Sequence, residues 1–481
     1  MTIVSSRRLM GPVDTIWLNM DRPTNLMVIH ALILLDGRLD PDRLRAILEA
    51  RLLGRYPVFR QRVVRSRLPI GLPRWEDDPD FALDRHLHRV SLHAPGDDAA
   101  LREYIDQRLH VPLDEEHPLW EIHVLDGYQG SGSAVLCRFH HALADGIALI
   151  RVLLSLTDES PEGGLSDDVR SSATGPTGFE TTDGASQPSM VSTALAVGSA
   201  GFHAVASVAR DGAVALAAVA RLATPRGARN TLGLGLRTGL VVTNLLFAGN
   251  RASPLGGAPG VAKHVVWSRP FPLEDLKKVG RSAGATLNDV LMSAVAGALG
   301  RYVADHGGES ADLTTMVPIN VRDLGVPLPP ELGNRFALVF FRYPSSLAGV
   351  LERLVETKRR MDWLKLSPEA TITFQLIRGI GRTGAEIERV LVDFFANKAI
   401  GVTTNVPGPT TARYLAGVGV TGMLGWVPGS AHQTLGVCIL TYAGTVRVGF
   451  LADAERVRDP DDLVEALALE LEALTRLARS S

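Results

Sequence analysis

Cysteine is nearly missing from this chain. Of 481 residues only Cys137 and Cys438 are cysteines, and each lies in an apolar run that reads as a buried strand. That leaves no disulfide framework and no zinc-finger spacing. Both thiols are expected to be reduced and structural, in keeping with a cytoplasmic address. Charge of one sign is equally scarce. The formal net charge is -2 and no long block of like charges occurs, so no global field draws the chain to nucleic acid. A long run of large apolar residues is lacking as well. Val191 to Ala209 is uncharged, but it is mostly Ala, Ser, Gly and Val, with His203 inside and Arg210-Asp211 directly after. Small side chains yield little transfer energy, so a buried or interfacial helix is expected there rather than a membrane span. Met1 to Met20 shows no basic end followed by an apolar stretch, so no secretory leader is expected.

Core-forming material is plentiful: 46% of residues are hydrophobic and 21% charged. That composition suits a soluble globular protein, and the length suits two domains or one two-lobed unit. Residues 1–160 alternate strand and helix signals. Leu26 to Leu35 and Ala134 to Phe139 are apolar strands, and Trp120 to Leu125 alternates as a half-buried one. Helices are expected from Asp40-Pro41 to about Leu53 and from Gly146 to Leu156. Residues 161–260 form a connector: a flexible stretch rich in Ser, Gly, Thr, Asp and Pro, an Ala-rich helical segment, then proline-bearing loops. Over 261–481 the alternation resumes. Strands are expected at Ala262 to Trp267, Leu313 to Pro318, Phe336 to Phe341 and Val446 to Leu451. Helices are expected at Leu273 to Ala283, at Asn288 to His306 and after Asp459-Pro460, the last with Leu463, Leu467, Leu471 and Leu474 on one face. The two halves suggest a pseudo-duplicated α/β architecture.

Chemistry concentrates in His140-His141-Ala142-Leu143-Ala144-Asp145-Gly146, where a strand ends and a helix begins. Adjacent residues leaving a strand face opposite ways, so only one of the histidines can face a cavity. A neutral imidazole can take a proton from an alcohol at neutral pH. Gly146 removes side-chain bulk, letting the backbone turn or a substrate come close. The bland alternative is a core histidine beside a surface one, with Asp145 starting the helix. Four fixed positions of rare types weigh against it, since chance gives such a pattern in roughly one of several hundred proteins. A metal pair, His141 with Asp145, lacks a third ligand placed by spacing. Asn288 and Asp289 stand at a helix start, where capping is the plain reading. Pro118-Leu119-Trp120 reads as packing at a strand start more than as substrate contact. Gly379-Ile380-Gly381-Arg382-Thr383-Gly384 has the G-x-G-x-x-G form, but no acidic residue follows at the distance a dinucleotide site needs. Lys358-Arg359-Arg360 reads as a solvated helix face, with anion binding as the rival.

The His140 to Gly146 run resembles the signature of the chloramphenicol acetyltransferase-like superfamily, which includes peptide-synthetase condensation domains. Further motifs follow in order: Pro118-Leu119-Trp120 upstream, then Thr286 to Val290, Val317 to Arg322, Gly333-Asn334-Arg335 and Asn405 to Pro409. Together they resemble the bacterial wax ester synthase/diacylglycerol acyltransferase family from about Gly11 to Arg458. Thr404 and Thr441 stand where that family often has Ser, and Asn25-Leu26-Met27 where a Met-His pair is common.

The resemblance implies a two-lobed α/β fold with the active site in a tunnel between the lobes. It implies His141, the second histidine, as general base, with His140, Asp145, Gly146 and Asn288 in the catalytic set. Asn288 would donate to the developing oxyanion. Asp289, Pro118 and Trp120 would support the site, and Asn405 to Pro409 would shape the tunnel. Asp145 would be structural, and its buried carboxylate needs a cation; Arg60 is the expected one. The implied donor is acyl-CoA, a substrate, and no metal or bound organic cofactor is implied. The implied acceptor is diacylglycerol or a long-chain alcohol. Docking on the inner membrane face or a lipid inclusion is expected at most. The rivals are an amide-forming or polyketide-associated acyltransferase and a non-catalytic lipid-binding or droplet-coating protein.

Overall fold

A run such as Val28-Ile29-His30-Ala31-Leu32-Ile33-Leu34-Leu35, buried on both faces, can only lie in the middle of a covered sheet, and that is where the computed structural model places it. The structure describes residues 7–66, 71–163 and 253–480, apart from 321, 323–324, 368 and 381–384. The first lobe opens with β1 (Arg7–Leu9), α1 (Pro12–Met20), β2 (Val28–Leu35) and α2 (Pro41–Ile47). It continues with β3 (Gln61–Val64), β4 (Arg74–Asp77), β5 (Leu87–Ser91) and α3 (Asp98–Leu109), then β6 (Trp120–Tyr128), β7 (Gly132–His140), α4 (Gly146–Ser155) and β8 (Thr157–Asp158). The second lobe opens with β9 (Lys263–Trp267), β10 (Phe271–Pro272), α5 (Leu273–Ala283) and α6 (Leu287–Asp305). Next come β11 (Leu313–Asn320), β12 (Phe336–Tyr343), α7 (Val350–Lys365), α8 (Glu369–Ile380) and α9 (Ala385–Ala396). The chain ends with β13 (Gly401–Val406), β14 (Tyr414–Leu415), β15 (Val418–Trp426), β16 (Leu435–Tyr442), β17 (Thr445–Asp453) and α10 (Asp461–Ser480).

Two seven-stranded sheets organise the molecule. One runs β5-β6-β7-β2-β15-β14-β8; the other runs β10-β17-β16-β13-β11-β12, with β9 also on β17. The division at residue 261 is therefore not clean. β14 and β15 leave the second half of the chain and complete the first sheet, with Trp426 paired to His30 and Val420 to Leu35. A lone β2 edge would leave a row of apolar residues and backbone groups unpaired, and β15 covers both. The expected connector at 161–260, with its Val191 to Ala209 segment, lies outside the described residues except at its two ends.

Local chemistry explains the elements that matter for the site. Asp40 caps α2 by accepting from the backbone of Asp42 and Arg43, with Pro41 at the first position. The expected helix to Leu53 holds, but as α2 followed by a π-helical stretch, Leu48–Leu53. α10 buries Leu463, Leu467, Leu471 and Leu474 in the second lobe's core. β6 is not half-buried as its alternation suggested. His123 and Leu125 are buried as well as Trp120, Ile122 and Val124, because α3 packs Leu101, Ile105 and Leu109 over that face. No described helix is long and apolar enough to cross a membrane.

Buried carboxyls set a pH dependence. Glu369 opens α8 and accepts from the backbone N–H of Phe340 on β12; burial pushes its carboxyl up to about 7. The unfolded chain ionises near the usual carboxylate value while the fold retains the proton. Stability should therefore fall as pH rises from about 4.5 to about 7, by up to about 3 kcal/mol from this group. Glu369→Gln should flatten that part of a denaturation-against-pH curve; an unchanged slope would show that Glu369 does not contribute.

Candidate active site

β7, an inner strand, ends at His140 and α4 starts at Gly146, so the intervening loop leaves the end of the sheet beside the cavity. The two histidines part as strand geometry requires. His140 is 2% exposed. Its Nδ1 accepts from the backbone N–H of Ala142 at 3.1 Å, and its Nε2 lies 3.0 Å from the Asp21 carboxylate. Both nitrogens are thus occupied away from the cavity, and the expected catalytic place for His140 is corrected to a structural one. His141 faces the other way. Its backbone N–H donates to the carbonyl of Met27 on the approach to β2, and its ring stacks on Trp17 at 3.9 Å.

His141 lines an apolar cavity between the lobes. The first lobe contributes Ile16, Trp17 and Met20 from α1 and Ile147, Leu149 and Ile150 from α4. The second contributes Phe336, Leu338 and Phe340 from β12, Leu376 and Ile380 from α8, and Val392 and Phe395 from α9. This wall desolvates the imidazole and lowers its pKa to about 4, although Asp145 and Asn334 favour the charged form. The ring is neutral at pH 7. Its Nδ1 lies 3.1 Å from Oδ1 of Asn334, so Nε2 is the nitrogen left for the cavity. Asn334 is 8% exposed. Its Nδ2 donates to the carbonyl of His141 and to the Asp14 carboxylate, each at 2.8 Å. Asn334 and Asp14 were not assigned from sequence. The signal was there only as Gly333-Asn334-Arg335, a motif with no chemistry attached.

Asp145 does what a buried carboxylate at a helix start must. Its Oδ1 caps α4 through Ala148 N at 2.9 Å, while Oδ2 accepts from Arg322 Nε and from the backbone N–H of Arg335, both at 3.0 Å. The partner cation is therefore Arg322 from the second lobe, not Arg60. Arg60 ends a short 3-10 turn and is exposed, and nothing local turns it towards α4. The buried Arg322–Asp145 pair, 5% and 7% exposed at the side chains, ties the lobes together.

Gly146 lines the cavity. A Cβ there would meet nothing within 4 Å and its backbone is not left-handed, so open space rather than a turn is what its missing side chain provides. Asn288 is in the first turn of α6, its Oδ1 accepting from Asn405 Nδ2 at 3.0 Å. Asn405 lines the cavity, with Asn288 behind it. Asp289 is a cap: its carboxylate accepts from Thr286 N, and Thr286 Oγ1 accepts from Asp289 N. Trp120 is a packing residue, its indole N–H on the carbonyl of Phe59 and its ring stacked on His86; Pro118 is buried beside it. Thr404 lines the cavity, whereas Thr441 accepts from the Gly408 N–H outside it. Lys358, Arg359 and Arg360 pair with Asp362, Glu356 and Asp312, which agrees with a solvated helix face. Gly379 and Ile380 end α8, so the G-x-G-x-x-G form follows a helix and not the strand a dinucleotide site requires.

A two-lobed α/β fold with the second histidine of this signature turned into a cavity between the lobes fits the acyltransferase class that the sequence resembles. Comparison with known proteins narrows it. The wax ester synthase/diacylglycerol acyltransferase catalytic domain matches residues 10–291, and the family's C-terminal domain matches 332–475. The chain belongs to the wax ester synthase/diacylglycerol acyltransferase family. Its relatives include a probable diacylglycerol O-acyltransferase of Mycobacterium tuberculosis H37Rv, 27% identical over 88% of this chain and 85% of that one. A second, putative diacylglycerol O-acyltransferase of the same strain is 28% identical over 98% of each chain. Among solved structures, the wax ester synthase/diacylglycerol acyltransferase of Marinobacter aquaeolei VT8 superposes with a TM-score of 0.66 at 17% identity, covering 98% of this chain and all of that one. The starter condensation domain of rhizomide synthetase, in complex with C8-CoA, superposes at 0.56 with 14% identity over 98% and 94% of the two chains. These two likenesses show the shared fold.

Removing one partner of a buried ion pair leaves the other charge uncompensated, at a cost of about 3–5 kcal/mol. Asp145→Ala and Arg322→Ala should each destabilise by that order, and the double variant by less than their sum. Chemical denaturation checks it. Strict additivity, or a fully stable single variant, would contradict the clamp.

Proposed function

We propose that this chain moves a long-chain acyl group from acyl-CoA to the hydroxyl of diacylglycerol, or of a long-chain alcohol, with His141 as general base and no covalent acyl-enzyme. The observation that carries this reading is a neutral imidazole with one bare nitrogen opening on an apolar cavity between the lobes. The names of the mycobacterial relatives support diacylglycerol as acceptor, and the condensation domain that holds C8-CoA supports an acyl-CoA donor.

Nε2 of His141 accepts the hydroxyl proton as the alcohol oxygen attacks the thioester carbonyl. A C–O bond forms, the carbonyl pair moves to oxygen and a tetrahedral oxyanion results. Its collapse breaks the C–S bond, and the imidazolium returns the proton to the departing thiolate. Thioester and alcohol become ester and thiol, and the enzyme is unchanged. Such a base contributes about 10²–10⁴-fold, and holding both substrates in one cavity contributes by proximity. The apolar walls exclude water, which would otherwise hydrolyse the thioester. Asn405, backed by Asn288, supplies an amide N–H on the same wall for the oxyanion, so the role expected of Asn288 passes to its partner.

Association with a membrane face or lipid inclusion belongs to the same proposal. On α9, Ile387, Val390 and Phe394 are exposed on one side, while Val392, Phe395 and Ala396 line the cavity from the other. A helix apolar on both faces at the cavity wall suits a lipid surface that delivers water-insoluble substrates. Replacing Ile387, Val390 and Phe394 by Ser should reduce co-sedimentation with phosphatidylglycerol-containing vesicles severalfold; undiminished binding would rule this helix out.

Palmitoyl-CoA offered with diolein, hexadecanol or a long-chain amine tests the reaction. Ester product is expected; amide product would favour a condensation-type activity, and lipid binding without turnover a carrier. His141→Ala should keep the fold and lose about 10²–10⁴-fold in ester formation. Because burial lowers the His141 pKa to about 4, the acid limb of kcat/KM should lie below pH 5. The charged or titratable groups around the ring are Asp145 with its Arg322, the neighbouring His140, Arg335 on the cavity wall, and Asp14 behind Asn334. A limb near 6.5 would mean a solvated, unperturbed imidazole.

A further inference from the structure

We infer that Asn334, held by Asp14, is a positioning residue that locks His141 in the tautomer with the proton on Nδ1 and the lone pair on Nε2. The inference rests on the reading of His141 as the base and deepens it. A neutral imidazole has two tautomers, and only one leaves an acceptor for a substrate hydroxyl at Nε2. Two acceptors select it here, the oriented amide of Asn334 and the carbonyl of His141 itself, and Asn334 is the one a substitution can remove.

That orientation follows from the partners. Asn334 presents one end of its amide to the Asp14 carboxylate and to the carbonyl of His141, each at 2.8 Å. Both of those groups accept and neither donates, so the amide end they meet must be Nδ2. The opposite end, Oδ1, then lies 3.1 Å from Nδ1 of His141. An amide oxygen only accepts, so Nδ1 must carry the proton. The carbonyl of His141 itself also faces this proton. Asp14 is buried in α1, and its Oδ1 accepts from the backbone N–H of Asn334 as well as from Nδ2. Its carboxyl, raised by burial to about 6, is still ionised at neutral pH and therefore acceptor-only.

The backbone around the amide is constrained too. Gly333 adopts φ of 75°, and its N–H donates to the carbonyl of Leu143. A Cβ at Gly333 would stand 3.3 Å from the Asp14 carboxylate. The segment from Gly333 to Arg335 thus lies against the signature loop and cannot slide without moving Asp14. An element of the second lobe fixes the proton on a base of the first, and a helix near the start of the chain fixes that element.

The test uses the full-length protein. Ring-¹⁵N spectra of histidine-labelled protein, with the His141 signals assigned by their loss in His141→Gln, should show Nδ1 protonated and Nε2 bare at neutral pH. In Asn334→Ala the signals should move towards a mixture of tautomers. kcat should fall on the order of 10–10²-fold, part of what a general base supplies, with KM for acyl-CoA little changed. Exchanging the pair, Asp14→Asn with Asn334→Asp, places a carboxylate on Nδ1 and keeps an amide behind it. That double variant should recover activity over Asn334→Asp alone, and its acid limb should move up in pH because a carboxylate favours the imidazolium. Asp145 with Arg322, and His140 with Asp21, are unchanged in both. A folded Asn334→Ala with wild-type kcat and tautomer would overturn the inference while leaving the base intact. Should Asn334→Ala not fold, an unmoved acid limb in the exchanged pair would overturn it. Retained ester formation in His141→Ala would instead sink the reading of the base beneath it.

Discussion

One carboxylate, at Asp145, carries the geometry of this molecule. It takes a free N–H in the first turn of α4, that of Ala148, the guanidinium of Arg322 and the backbone N–H of Arg335. Each partner answers a separate need: a helix start must be capped, a buried charge must be paired, and two lobes with an apolar gap between them must be held in register. Because the three partners come from both halves of the chain, the loop bearing His141 is aligned with the segment bearing Asn334. Without that alignment the imidazole would have no fixed neighbour on its inner nitrogen.

The cavity makes use of the same arrangement. Desolvation keeps His141 neutral, and a neutral ring can take a proton. Surrounding side chains are almost wholly apolar, so the few polar groups on the wall count. They include His141, Asn405, Thr404, Asn320, Arg335 and Ser430. Gly146 contributes by what it lacks, leaving open space at the start of α4. Crossing of β15 into the first sheet has a similar consequence. It brings Leu424 and Trp426 to the cavity wall and binds the lobes by a shared ladder as well as by the ion pair.

Much of this was legible in the chain. Strands at β2, β7, β9 and β12 and helices at α4, α5, α6 and α10 follow from apolar periodicity and caps, which are local properties. That only one of His140 and His141 can face a cavity follows too, since neighbours on a strand face opposite sides; which one does came from the family resemblance, not from the strand. The Asp289 cap was readable from Thr286 and its spacing. The burial of both faces of β6 was not, because α3 covers it from a distance. Nor was the path of Tyr414 to Trp426, since a strand's own residues do not say which sheet completes its hydrogen bonds.

The amino-acid sequence by itself determined the class of chemistry: a strand-to-helix junction with paired histidines, a buried acid and a glycine, followed by further motifs in a set order. It also determined that Asp145 needs a cation. Only the tertiary structure decided which one, putting Arg322 rather than Arg60 on the carboxylate, and only it brought Asp14, Asn334 and His141 into one line of hydrogen bonds. The physical reason is sequence separation. Caps and periodic faces are satisfied within a few residues, whereas the partners of a buried charge or a buried imidazole are chosen by whichever distant segments the folded sheets bring within about 3 Å.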